Sequence, residues 1–155
     1  MNTYVTQILD AYGVKYAINE HHNDAHTCEE AARERGISLS DILKCMIGRD
    51  TVGRIYVMLI PGDKMLKIKK LRNLVGGIKI NLISSEELTV DFGLVVGAIS
   101  PIQFLGKAQF YLDQTVLSKE DIDISSGLMT AGVMLKTRDL IELLNPMICD
   151  IISNS

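Results

Sequence analysis

Ile42-Leu43-Lys44-Cys45-Met46-Ile47 and Arg54-Ile55-Tyr56-Val57-Met58-Leu59-Ile60 are two apolar runs six residues apart, and Pro61-Gly62-Asp63 closes the second. Each has strand length, and the second is rich in β-branched and aromatic residues. A connection this short suits antiparallel neighbours, because parallel strands need a crossover of a dozen residues or more. The pair therefore predicts a mixed or antiparallel sheet with helices around it, an α+β domain rather than a doubly wound sheet.

Outward from this pair the pattern alternates between helix and strand. Tyr4, Ile8, Leu9 and Tyr12 recur at helical spacing before Gly13, which predicts a helix over 2–12. A short strand follows over 14–18. Thr27-Cys28-Glu29-Glu30 is a capping-box sequence opening a helix that ends at Gly36. Beyond the strand pair, 67–74 reads as a basic amphipathic helix, 78–83 as a strand, and Ser84-Ser85-Glu86-Glu87 as the cap of a short helix. Residues 94–99 are apolar but broken by Gly97. Short strands are expected at 110–112, 122–125 and 132–135, and a last helix runs from Thr137 to Leu144 before Pro146. A chain of 155 residues corresponds to one domain. Its expected extent is 1–146, with 147–155 as a C-terminal tail.

Composition narrows the function classes. The chain is 47% hydrophobic and 23% charged, which excludes disorder as its main state. The longest apolar run, Ile55 to Ile60, is far short of the roughly 20 residues of a spanning helix, so no membrane association is expected. Cys28, Cys45 and Cys149 form no CxxC pair and read as reduced thiols of a cytoplasmic protein. The absence of tryptophan and the 5% aromatic content argue against a base-stacking platform. No GxSxG, P-loop or GxGxxG sequence is present.

Net charge is −3, yet residues 40–80 carry nine basic and three acidic side chains. Lys64, Lys67, Lys69, Lys70 and Arg72 are the densest part, either a solvated helix face or a phosphate-contacting patch. Lys44 sits inside an apolar strand, where a cation is costly unless it snorkels, lies on an edge or meets an anion. His21, His22 and His26 flank Asp24 and could offer zinc ligands, but no second cluster supplies more, and the stretch reads as a solvated turn. No metal or cofactor is expected. Cys28, at the first position of its helix, would have a lowered thiol pKa from the helix dipole.

Taken in order, these features resemble the YbaK/prolyl-tRNA synthetase editing-domain family of aminoacyl-tRNA deacylases, from about Tyr16 to Leu144. The resemblance is carried by Thr27-Cys28-Glu29-Glu30-Ala31-Ala32, Ile42-Leu43-Lys44-Cys45-Met46, Tyr56 to Asp63, Leu66 to Leu71, the GxxxP loop Gly97-Ala98-Ile99-Ser100-Pro101, Tyr111-Leu112-Asp113 and Ile124-Ser125-Ser126-Gly127. It implies a mixed, partly barrel-like β-sheet wrapped by helices, and hydrolysis of the ester joining a wrong amino acid to the 3′ adenosine of tRNA. It implies that Lys44 holds the terminal phosphate and that the Gly97 loop, with Ala98, Ser100 and Pro101, lines the ester. Ser125 and Gly127 would border the same pocket, and Lys67 and Lys70 would contact the acceptor end of tRNA. Cys-tRNA or Ala-tRNA(Pro) are the implied substrates, and an aminoacyl-tRNA synthetase is a candidate partner. A non-catalytic module binding a tRNA end or a synthetase is the alternative, and a metal-dependent hydrolase using the histidines is a third reading. The chain departs from the family at Leu128-Met129-Thr130, where basic residues are common, and at Cys45, where a small hydroxyl residue is common. No histidine follows position 26, so none is expected in the pocket, which favours a substrate-assisted route through a cysteinyl thiol.

Overall fold

The computed structural model describes residues 1–154. Among them are five α-helices and eight strands, and the strands form two sheets. The larger is built on the hairpin of β2 (Leu43–Asp50) and β3 (Ile55–Pro61), paired antiparallel from Leu43↔Pro61 to Arg49↔Ile55. Asp50 closes its turn: Oδ1 accepts from the N–H groups of Val52 and Arg54, and Oδ2 accepts from the Tyr56 hydroxyl. Beyond the hairpin lie β4 (Ile80–Leu82), against the far end of β2, and β5 (Gln109–Asp113), parallel to β3. The smaller sheet is antiparallel, with β7 (Ala131–Lys136) between β1 (Tyr16–Glu20) and β6 (Asp121–Ser125). A single parallel bridge, Ile42↔Asp123, joins the sheets. They do not close into a barrel.

β3 is apolar along almost its whole length because both of its faces are covered. Val57 and Leu59 face a core shared with Ile122, Ile124 and Val133 of the smaller sheet. Helices α1 (Tyr4–Ala11) and α5 (Thr137–Leu144) close this core with Val5, Leu9, Leu140 and Leu144. Tyr56, Met58 and Ile60 face the opposite side, under Leu71 of α3 (Ile68–Leu74). Helix α2 (Cys28–Arg35) starts at Thr27, whose hydroxyl accepts from the Glu30 N–H, and ends at the left-handed Gly36. Helix α4 (Ser85–Phe92) has both arms of its capping box, between Ser84 and Glu87.

The glycine-broken stretch 94–99 is a loop, with Gly97 at a φ of +96°. One expectation needs correction. Residues 147–154 do not hang as a tail: β8 (Met147–Cys149) extends the larger sheet parallel to β5, and Ile151 is fully buried. Asp113 secures this segment, because its buried Oδ1 accepts from the Ile151 N–H and its Oδ2 from Thr115. Pro146 ends the helix by denying it an N–H, but leaves the following apolar residues free to pair as a strand.

Candidate active site

The edge of β2 that β4 leaves uncovered opens a cavity of about 420 Å³. Strand alternation sets what the edge presents. Ile42 O accepts from Gly62 on the β3 side and Ile47 O accepts from Ile83 on the other, so Cys45 turns its N–H and C=O toward the open edge. The first turn of α2 forms one wall, the 82–88 stretch a second, and the Gly97 loop and Ser125 complete the rim. First-turn N–H groups have no partner within their own helix, so this wall carries the positive end of the α2 dipole.

Lys44, Gly97 and Ser125 all line this cavity, although they are far apart in the chain. Lys44 Nζ donates to the Lys64 carbonyl at 2.8 Å, and among the described residues no carboxylate lies within ion-pair distance of it. That contact brings the start of the basic 64–72 segment to the pocket mouth. Ser125 Oγ accepts from the Gly127 N–H at 3.1 Å, which places Gly127 behind the rim. Ala98, Ser100 and Pro101 are buried beneath the loop rather than on the cavity surface, with the Ser100 N–H donating to Gln103 Oε1. Lys67 and Lys70 lie outside the cavity, at and in α3. The Lys70 ammonium is held by Asp150 and Asn154, and Arg72 donates to the Ile80 carbonyl, whereas Lys67 and Lys69 are exposed.

The interior is mainly apolar, from Ile42, Leu43, Ile47, Ile83, Leu88 and Ile99, with the thiols of Cys28 and Cys45 among them. Burial pushes the Cys28 thiol up, only partly offset by the Lys44 charge, and pushes Cys45 far above its usual range. Both are neutral thiols at physiological pH. The expected lowering at Cys28 is corrected: the helix end is there, but desolvation outweighs it. The cavity can therefore position an apolar or thiol-bearing group but offers no thiolate nucleophile.

A second correction concerns the histidines. His26 belongs to the cavity wall, so a histidine borders the pocket although none follows position 26. The loop that reads as polar and local is drawn against Gly97, where an added Cβ would meet His26 Cα at 3.0 Å. His21 is not solvated either. Its Nδ1 donates to the Asn23 carbonyl and its Nε2 accepts from Arg35 Nε–H, so both nitrogens are engaged. Among the described residues no group of three or more His, Cys, Asp or Glu is placed to hold a metal ion.

Arg35 and Asp123 carry little signal in the sequence. Arg35 Nη1 donates to Asp123 Oδ1 at 2.5 Å with both side chains buried, and Arg35 lines the inner end of the cavity. The only local signal was a charged residue in the last turn of α2 and a carboxylate alternating with Ile122 and Ile124. Burial pushes the Asp123 carboxyl up to about 6 against the pull of Arg35. An unfolded aspartate titrates near ~3.9, so the folded state holds more protons between these values. This group's contribution to stability is complete below about pH 3.9 and is lost as pH rises through the folded pKa. Between pH 4 and 7, wild type should lose on the order of 2–3 kcal/mol of unfolding free energy relative to Asp123→Asn, read by urea titration. A gap that stays constant with pH would refute this.

The chain matches the family model for the aminoacyl-tRNA editing domain over residues 22–143. It is 26% identical over 129 residues to the multifunctional Ser/Thr-tRNA deacylase ProXp-y of Escherichia coli K12, covering 81% of this chain and 77% of that protein. It is 25% identical over 137 residues to the prolyl-tRNA editing protein ProX of Acetoanaerobium sticklandii, covering 85% and 83%. Among solved structures, the hypothetical protein APE2540 superposes with a TM-score of 0.87 at 27% identity, covering 96% of this chain and 99% of the other.

Proposed function

Because the chain belongs to the aminoacyl-tRNA editing domain family, we propose that it is a deacylase that edits misacylated tRNA in trans, hydrolysing the ester between a wrong amino acid and the 3′ adenosine. The observation that carries this reading is the convergence of Lys44, Gly97 and Ser125 on one cavity. Lys44 has the charge and position to receive the terminal phosphate by a charge-assisted contact. The Gly97 loop and the first turn of α2 then flank the ester, with backbone N–H groups available to an oxyanion. An aminoacyl ester is already activated, so orientation supplies much of the rate. The proton transfers are assigned to the substrate's own functional groups, with His26 on the cavity wall as the histidine nearest this site in the fold. The apolar and thiol lining favours small apolar or thiol amino acids, of the alanine or cysteine type, over hydroxylated ones.

Deacylation of a panel of aminoacylated tRNAs, with and without a chelator, tests the reading. Turnover of at least one misacylated species, unaffected by chelator, is the expected result. Binding of tRNA with no turnover of any species would replace it with the accessory-module reading, and loss of turnover with chelator would favour metal-dependent hydrolysis.

The acceptor end would run from Lys44 along the 64–72 segment. Lys67 and Lys69 are better placed for phosphates than Lys70, whose ammonium is occupied. Charge reversal at Lys67 and Lys69 should flatten the log–log salt dependence of tRNA binding by roughly 0.7–0.9 per lost contact. Reversal at Lys70 should change the slope less, and an unaltered slope in the first variant would mark this face as merely solvated. A synthetase partner remains part of this proposal, testable by co-sedimentation with the tRNA-bound protein. No helix is long and apolar enough to cross a membrane among the described residues.

A further inference from the structure

One wall of the cavity is the segment 21–35, made of the histidine loop and α2. Arg35 holds its two ends together. At the far end Arg35 itself is locked, with Nη1 on Asp123 Oδ1 and Nη2 donating to the Ala131 carbonyl at 3.3 Å. At the near end the same guanidinium donates from Nε to His21 Nε2 at 3.3 Å. Between these ends the wall carries Cys28 into the cavity and lays the Ala25–His26 backbone against Gly97.

Three further observations show that the clamp is built into the fold. Asp123 Oδ2 is buried without a hydrogen-bond partner among the described residues, a costly arrangement to retain for packing alone. Gly132 leaves the space the pair occupies, because a Cβ there would lie 2.6 Å from Asp123 Oδ2 and 2.7 Å from Arg35 Nε. Asp123 also lies two residues from Ser125 on β6, so alternation puts the clamp and the rim serine on the same side of that strand. A buried ion pair of this kind can often be replaced by apolar residues with no loss of stability, so stability alone does not account for it.

The geometry points to Arg35, oriented by Asp123, as a positioning residue that sets the distance between the 21–35 wall and the Gly97 loop, and so the seat of the aminoacyl ester. This inference rests on the deacylase reading above. It deepens that reading by assigning a role to residues outside the ester-contacting set.

The test compares wild type, Arg35→Met/Asp123→Leu and Arg35→Lys by thermal melting, amide hydrogen exchange, and steady-state deacylation of the best substrate of the panel. The double variant should melt close to wild type, because apolar side chains replace the pair. Its amides over 21–31 should exchange at least about tenfold faster than those of β3, relative to wild type. Its kcat should fall at least about tenfold while KM for tRNA changes by less than about threefold, since phosphate contacts lie elsewhere. Arg35→Lys keeps the charge but loses the three-way fork, and should recover part of the kcat. Unchanged exchange over 21–31, or full kcat in a folded double variant, would overturn the proposal. If the double variant does not fold, the same readouts on Arg35→Lys decide, with wild-type exchange and kcat counting against it. If wild type hydrolyses no substrate, the deacylase reading falls, and exchange alone still shows whether the clamp exists.

Discussion

Lys44→Ala should lower deacylation by one to two decades while leaving the protein folded. The ammonium lines the cavity and spends one hydrogen on the Lys64 carbonyl. Two remain for an incoming phosphate, with no carboxylate competing among the described residues. A charge-assisted hydrogen bond contributes about 1.5–3 kcal/mol, which at about 1.4 kcal/mol per decade gives the expected loss. The effect grows if the same phosphate also fixes the ester beside Gly97. Removing the side chain strands little, since the Lys64 carbonyl lies on an exposed turn where water can replace the ammonium. Lys44→Arg restores charge with a planar fork that does not match the Lys64 contact, so rescue should be partial. The measurement is single-turnover deacylation beside a thermal melt. Full activity in folded Lys44→Ala would remove both the site and the mechanism.

Gly97→Ala should reduce activity by about a hundredfold or more, and it should also cost stability. The residue holds a φ of +96°, a region that side-chain-bearing residues enter at about 1–3 kcal/mol. An added Cβ would sit 3.0 Å from His26 Cα and 3.1 Å from the Ala25 carbonyl oxygen. Both neighbours are backbone, so neither can swing aside as a side-chain tip would. The 21–35 wall must retreat or the loop must tilt, and either motion displaces the ester seat. The motif alone suggests that a substituent at Gly97 would obstruct ligand and spare the fold. The structure instead places the opposite wall in that space, so stability and activity fall together. A thermal melt and a deacylation assay on the same preparation check this. An alanine variant with wild-type melting and wild-type rate would refute it.

Much of the architecture is legible in short stretches. The β2–β3 hairpin follows from two apolar runs, a short connection and Asp50 at the turn. Thr27 and Ser84 announce the helices that they cap. Each of these signals is exchanged among residues a few positions apart. β8 is not legible in this way, because Met147-Ile148-Cys149 follows a helix-ending proline and has the pattern of a frayed end. What makes it a strand is the open edge of β5 and the buried carboxylate of Asp113, both more than 30 residues upstream.

By itself, the sequence determined the α+β class and the order of elements as far as α5, because periodicity and capping are written locally, while Lys44, Gly97 and Ser125 were marked only by the resemblance to the editing-domain family. Tertiary structure alone decided the electrostatics of the pocket. Cys28 has the helix position of an activated thiol, yet enclosure by β2 and the 82–88 stretch keeps it protonated. Arg35 and Asp123 are 88 residues apart, and nothing in either neighbourhood announces the other. His26 enters the cavity only because Gly97, 71 positions later, has no side chain to keep its backbone away. Desolvation and charge pairing depend on which remote segments close over a group, and that is settled only when the two sheets meet at Ile42 and Asp123.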